Sequence, residues 1–112
     1  MKPETLKGHL DAMILSVLEP APLHGYAIIR ELKQRSGGTL ALPEGTVYPA
    51  LHRLEAAGLL ASDWSDAQAR RRRVYNLTRR GRRELVRSRG EWRSFAATVE
   101  SVLAPAASGA RA

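Results

Sequence analysis

The sequence predicts a mainly α, α+β domain in which three short helices precede a two-stranded hairpin and one long final helix. Three observations predict it. Apolar residues recur at helical spacing in four separate stretches, bounded by proline or glycine. A β-prone run containing Val74 and Tyr75 faces a second run, Leu59 to Trp64, across a polar loop. The 112 residues provide one compact domain with a modest core.

Leu6, Leu10, Met13, Ile14, Val17 and Leu18 form the stripe of the first helix, and Pro20 and Pro22 end it because proline supplies no N–H and restricts the residue before it. Gly25 opens a second helix with Tyr26, Ile28, Ile29 and Leu32 on its apolar side, closed by Gly37-Gly38, where a left-handed backbone is cheap. A short extended piece, Thr39 to Leu42, leads to Pro43-Glu44, which suits the first turn of a third helix. Val47, Leu51 and Leu54 give that helix its buried stripe, and Gly58 stops it. Pro49 is tolerated if regular hydrogen bonding starts near Gly45 or Thr46, so that its missing N–H falls in or beside the first turn. Leu59 to Trp64 and Arg73 to Leu77 read as paired strands around the loop Ser65 to Arg72. Thr78 can cap the last helix, whose apolar residues Leu85, Trp92, Phe95, Ala96, Val99, Val102 and Leu103 recur at threes, fours and sevens before Pro105. The expected division is residues 1–77 for the compact domain, 78–104 for the last helix and 105–112 for a flexible tail.

Lys and Arg total 18 against 11 acidic residues, a formal net charge of +7. So large a basic excess favours a polyanionic partner, nucleic acid or an anionic membrane surface. There is no cysteine, which removes disulfides and thiolate chemistry and fits a reducing compartment. Leu10 to Leu18 is too short and interrupted to span a bilayer, and no long apolar run follows the first residues. The expectation is a cytoplasmic protein without a membrane partner. His9, His24 and His52 lack metal-ligand spacing, and no phosphate-cradling glycine motif appears, so neither an enzyme, a metal site nor a cofactor is expected. His24 reads as a cap or core-edge residue, and Glu55 and Glu91 as members of surface ion pairs.

Three helices followed by a hairpin is the order of a winged helix-turn-helix. In that arrangement the third helix enters the major groove of double-stranded DNA and the hairpin forms the wing. With Leu51 and Leu54 turned inward, Thr46, Tyr48, Pro49, His52 and Arg53 fall toward the outside. A tyrosine there reaches phosphate, sugar or a thymine methyl, and an arginine pairs with guanine or phosphate; alternatively Tyr48 packs inward and His52 and Arg53 are ordinary surface. Arg70 to Arg73 are four adjacent like charges at a hairpin tip, whose counterions DNA would release. Arg79, Arg80, Arg82 and Arg83 extend the basic surface. The last helix is too long for so small a body to cover. Its apolar stripe predicts a symmetric homodimer with two recognition helices about 34 Å apart on a palindromic site, unless the helix folds back on its own domain. Trp92 is either a dimer-core residue or a face for stacking a flat aromatic compound. A winged helix serving only as a protein-interaction module is the alternative; RNA binding lacks the aromatic-rich sheet it would need.

His24-Gly25-Tyr26, the segment Gly45-Thr46-Val47-Tyr48-Pro49-Ala50-Leu51-His52-Arg53-Leu54-Glu55 with Gly58-Leu59, and Tyr75-x-Leu77-Thr78-x-x-Gly81 resemble the PadR family of bacterial transcriptional regulators over roughly residues 5–104. Trp64 before the wing loop and Trp92-Arg93 in the last helix fit the same resemblance. It implies a homodimeric repressor of a nearby promoter, of the small subgroup with a single C-terminal helix, in some members released from DNA by an aromatic compound at the dimer interface. It also implies that Tyr26, Thr46, Tyr48, Pro49, His52 and Arg53 face DNA, with Arg71, Arg72 and Arg73 on the basic side of the wing. The first and last helices are implied to form the dimer interface, which places Leu6, Leu10, Leu85, Trp92, Phe95, Ala96, Val99, Val102 and Leu103 there. One departure is the wing tip, Asp66-Ala67-Gln68-Ala69, where the family often has glycine or Gly-Pro.

Overall fold

A computed structural model of the chain describes residues 6, 8–66 and 71–106. The elements are α1 (Leu10–Val17), β1 (Leu23–His24), α2 (Gly25–Arg35), α3 (Glu44–Ala56), β2 (Leu60–Ser65), β3 (Arg72–Leu77) and α4 (Arg79–Leu103). The fold is an α+β winged helix: a three-helix body, a small antiparallel sheet and one long trailing helix. The wing-tip residues 67–69, with Arg70, and most of the expected tail, 107–112, lie outside the described residues.

The helix ends follow the glycine signals. At the end of α3, Gly58 has a φ of 79°, the Gly58 N–H donates to the Glu55 carbonyl and the Leu59 N–H to the Leu54 carbonyl, each at 3.0 Å. This Schellman arrangement satisfies carbonyls that the helix leaves open and requires the left-handed residue that glycine supplies. α2 ends the same way at Gly37 and Gly38. Pro49 is a correction to the sequence expectation. α3 begins at Glu44, so Pro49 sits in its second turn and gives no N–H to the Gly45 carbonyl. Gly45 and Pro49 both lie on the exposed side, where water can take that carbonyl.

The strand order is β1-β3-β2, with β3 in the middle and both pairings antiparallel. β1 is not anticipated from the sequence, because two residues between Pro22 and Gly25 carry no readable alternation. It exists because β3 has a second edge, on which Leu23 pairs with Tyr75 and His24 with Val74.

Leu10, Ile14, Leu15, Val17, Leu18, Ile28, Leu32, Val47, Ala50, Leu51, Leu54, Leu60, Tyr75, Leu77 and Leu85 form one buried cluster, with Leu6 packed against it. This corrects the interface expectation for two positions. Leu10 and Leu85, placed between copies by the sequence, are only 6% and 2% exposed and fill the chain's own core. α4 docks by its first half on α1: the Arg89 guanidinium donates to both Glu19 carboxylate oxygens, at 2.8 and 3.2 Å, and to Ser16 Oγ at 3.1 Å. Beyond Leu85, no described residue of α4 is buried.

Candidate nucleic-acid interface

The outward side of α3 is set by its inward side. Val47, Ala50, Leu51 and Leu54 are buried in the body, which turns Pro49, His52 and Arg53 outward and leaves Thr46 half-buried. Arg53 is exposed and forms an ion pair with Asp11 of α1. Tyr26, on α2 and exposed, donates its hydroxyl to Glu44 Oε2 at 2.9 Å, joining α2 to the first turn of α3.

Tyr48 departs from the outward placement. It is half-buried and packs against the core, lying so close over Gly25 that a Cβ there would overlap its ring. Burial, followed by the nearby Glu44 carboxylate, pushes its phenol above the usual 10.0. The glycine after His24 is therefore the seat for a tyrosine of α3, a reason for the His-Gly-Tyr triplet that sequence reasoning did not supply.

His24 caps α2, as anticipated: its Nδ1 faces the Ala27 N–H at 3.3 Å. Its Nε2 stands 2.7 Å from Arg72 Nη1, a contact across to the wing. Both neighbours are donors, and a neutral imidazole can accept at one nitrogen only. An imidazolium can accept at neither. Burial first, then the charges of Arg72 and Arg30, accordingly lower its pKa below 6.5.

The wing is organised by strand alternation. Trp64 of β2 pairs with Arg73 of β3, and Ser62 with Tyr75. Arg71 and Arg73 both lie over the Trp64 ring, 4.8 and 5.3 Å from its centroid, whereas Arg72 reaches His24. Arg73 Nε donates to Ser62 Oγ at 2.8 Å, and the Ser62 hydroxyl donates to Glu55 Oε2 at 2.6 Å. Glu55 lies 3.7 Å from Arg73 Nη2, and Glu91 pairs with Arg87, the surface pairs expected of these two acids. The Glu55–Ser62–Arg73 linkage is missed by the sequence because it joins a helix to two strands, and no local spacing encodes that.

On α4, Trp92 is 53% exposed and Leu103 75%; Phe95 and Val102 are exposed as well, with Ala96 and Val99 half-buried. Trp92, Phe95, Ala96, Val99 and Leu103 line a shallow groove. Trp92 meets His9 edge-on at 5.1 Å between ring centroids. Among the described residues no group of three or more His, Asp or Glu could hold a metal ion, and no helix is long and apolar enough to cross a membrane.

The chain is similar to known regulators. It is 42% identical over 67 residues, 60% of each chain, to "Transcriptional regulator Rv3488" of Mycobacterium tuberculosis. An uncharacterised protein of Lysinibacillus sphaericus is 27% identical over 93 residues, 82% of this chain and 85% of that protein. Among solved structures, a PadR family transcription regulator from Clostridium difficile superposes with a TM-score of 0.77 at 34% identity, over 85% of this chain and 98% of that one. A PadR family regulator from Eggerthella lenta does so with a TM-score of 0.79 at 32% identity, over 90% and 87%. Residues 14–87 match the transcriptional regulator PadR-like family. The family and its structural neighbours are transcriptional regulators rather than enzymes, and this chain, a DNA-binding regulator, belongs to the PadR-like family.

Proposed function

We propose that the protein is a cytoplasmic repressor that binds a palindromic operator as a homodimer, with α3 in the major groove and the wing on the adjacent backbone. The observation that carries this reading is the outer side of α3. Thr46, Pro49, His52 and Arg53 have no place in the core, stand on a helix of about 20 Å, and lie in one body with the arginine-bearing wing. Tyr26 and Tyr48 flank that surface, from the neighbouring helix and from the seat over Gly25. Arg53 exchanges Asp11 for guanine or phosphate, and Arg71 and Arg72 reach phosphate, with Arg73 on the same edge. The second copy covers the outer part of α4, burying Trp92, Phe95, Ala96, Val99, Val102 and Leu103, with Leu6 at its margin. What supports this is the exposed apolar stripe on a helix of about 37 Å, which its own body covers only in part.

The test is binding to the DNA upstream of the protein's own gene at two salt concentrations, with random duplex as competitor. Contacts to about 6–10 phosphates cost 10³–10⁵ in affinity between 50 and 200 mM salt. Tight, salt-sensitive binding that survives the competitor supports the repressor reading. Salt-insensitive binding to a protein partner, with no affinity for either duplex, favours the interaction module instead.

A flat aromatic effector at Trp92 is the second reading, favoured by the groove that Trp92 and Phe95 line. Its test is quenching of Trp92 fluorescence in a Trp64→Phe background. Absence of quenching by every cognate compound leaves Trp92 as a dimer-core residue.

A further inference from the structure

The arginines of the wing are not equivalent, although the sequence writes them as one run. Arg71 and Arg73 share the Trp64 side of the hairpin, both within the roughly 6 Å at which a guanidinium is attracted to an indole face. Trp64 itself is 55% exposed, far more than a ring needed for the core. Arg73 has two further ties: its Nε–H to Ser62 Oγ, and its Nη2 beside the Glu55 carboxylate at the C-terminal end of α3. Glu55 therefore balances the charge of Arg73. Arg71 has no carboxylate partner among the described residues.

A guanidinium that releases counterions to DNA must bring uncompensated charge to the backbone. Arg73 would have to abandon Glu55 and Ser62 to do so; among the described residues, Arg71 gives up only its place over an indole. The geometry points to a division of labour. Arg73 is a positioning residue that braces the wing against the recognition helix, and Trp64 is the platform that presents Arg71 to phosphate. This rests on the reading of the wing as a backbone-binding element. One consequence is that Glu55, an acid on a DNA-binding helix, sets how many positive charges the wing delivers.

The experiment is the salt dependence of duplex binding for single variants of the full chain, with folding checked by circular dichroism. Arg71→Gln flattens the slope of log K against log[salt] by about 1.8 for the homodimer, about 0.9 for the one phosphate at each wing. Arg73→Gln shifts the line to weaker binding at an unchanged slope, and Glu55→Gln, which uncovers the charge of Arg73, steepens it. If Arg73→Gln does not fold, Arg73→Lys serves, since its ammonium still pairs with Glu55, and it keeps the wild-type slope. A second measurement needs no DNA. In a Trp92→Phe background, where Trp64 is the sole tryptophan, Arg71→Gln and Arg73→Gln each increase acrylamide quenching, because each uncovers part of the ring. Equal flattening by Arg71→Gln and Arg73→Gln, or quenching indifferent to Arg73, overturns the inference. If the wild-type protein binds neither duplex, the repressor reading falls, while the quenching result still decides whether Arg73 braces Trp64.

Discussion

Two glycines of α4, nine positions apart, are expected to respond to alanine with opposite signs. Gly81 is buried in the first turn of the helix, and its N–H donates to the capping Thr78 Oγ1 at 2.9 Å. A Cβ there would run into the backbone carbonyl of Leu59 and stand 3.2 Å from Leu77 Cδ2. A carbonyl fixed in the base of the wing cannot rotate away, so the helix must lift. Lifting strains the hydrogen bond from the Thr78 hydroxyl to the Gly58 carbonyl, 2.7 Å, and that from the Thr78 N–H to the Leu59 carbonyl, 3.2 Å. Two bonds at about 1 kcal/mol each, plus overpacking of about 1 kcal/mol, outweigh the helix-propensity gain of about 0.5–1 kcal/mol. The net expectation for Gly81→Ala is a loss of about 2 kcal/mol. Gly90 has nothing within 4 Å of the same added atom, so Gly90→Ala keeps only the propensity gain of about 0.5–1 kcal/mol. For a chain of this size about 1 kcal/mol moves Tm by roughly 4 °C. Thermal unfolding followed by far-UV circular dichroism, at one protein concentration so that self-association stays constant, should place Gly81→Ala several degrees below and Gly90→Ala a few degrees above the wild type. If Gly81→Ala raises Tm as Gly90→Ala does, the close approach of α4 to Leu59 is refuted.

Further outcomes are expected. His24 titrates below its ordinary 6.5 in the folded chain, so just below that pH the unfolded chain binds the extra proton; its contribution to stability is complete above 6.5 and falls as pH drops through that window. His24→Asn, which retains a capping oxygen, should show a smaller drop in Tm between pH 7.5 and 5.5; an unchanged drop assigns the pH dependence elsewhere. Tyr48→Ala should cost specific binding about 1–3 kcal/mol if the ring reaches a base edge, while random duplex binds as before; equal losses on both would make it a backbone or packing residue. Val99→Glu puts a carboxylate into the proposed interface and should give monomers with no operator affinity in analytical ultracentrifugation and gel-shift assays. A dimer of undiminished affinity would move the interface off α4.

The four helices and the hairpin are legible in the sequence because their causes are local. Gly58 stops α3 by adopting φ 79°, Thr78 caps α4 with its own hydroxyl, and Leu51 and Leu54 repeat at the helical period. The hairpin strands fall within a residue of the runs around Trp64 and Tyr75. Where the reading stops, the cause is distant in the chain. β1 exists through an edge of β3 some fifty positions away. Leu85 begins the stripe read as an interface and the family resemblance adds Leu10, and only the packing of α4 on α1 turns both inward.

The sequence by itself determined a basic winged helix with an overlong final helix, since periodicity, glycine stops and net charge are properties of short stretches and of the whole composition. Only the tertiary structure decided what each polar side chain does: that Tyr48 rests on Gly25, that Arg53 meets Asp11, and that adjacent arginines divide between His24 on one side and Trp64 with Glu55 on the other. Alternation along a strand separates neighbours that the sequence shows as a single run. The partners they meet arrive from other elements, at positions no spacing along the chain can specify.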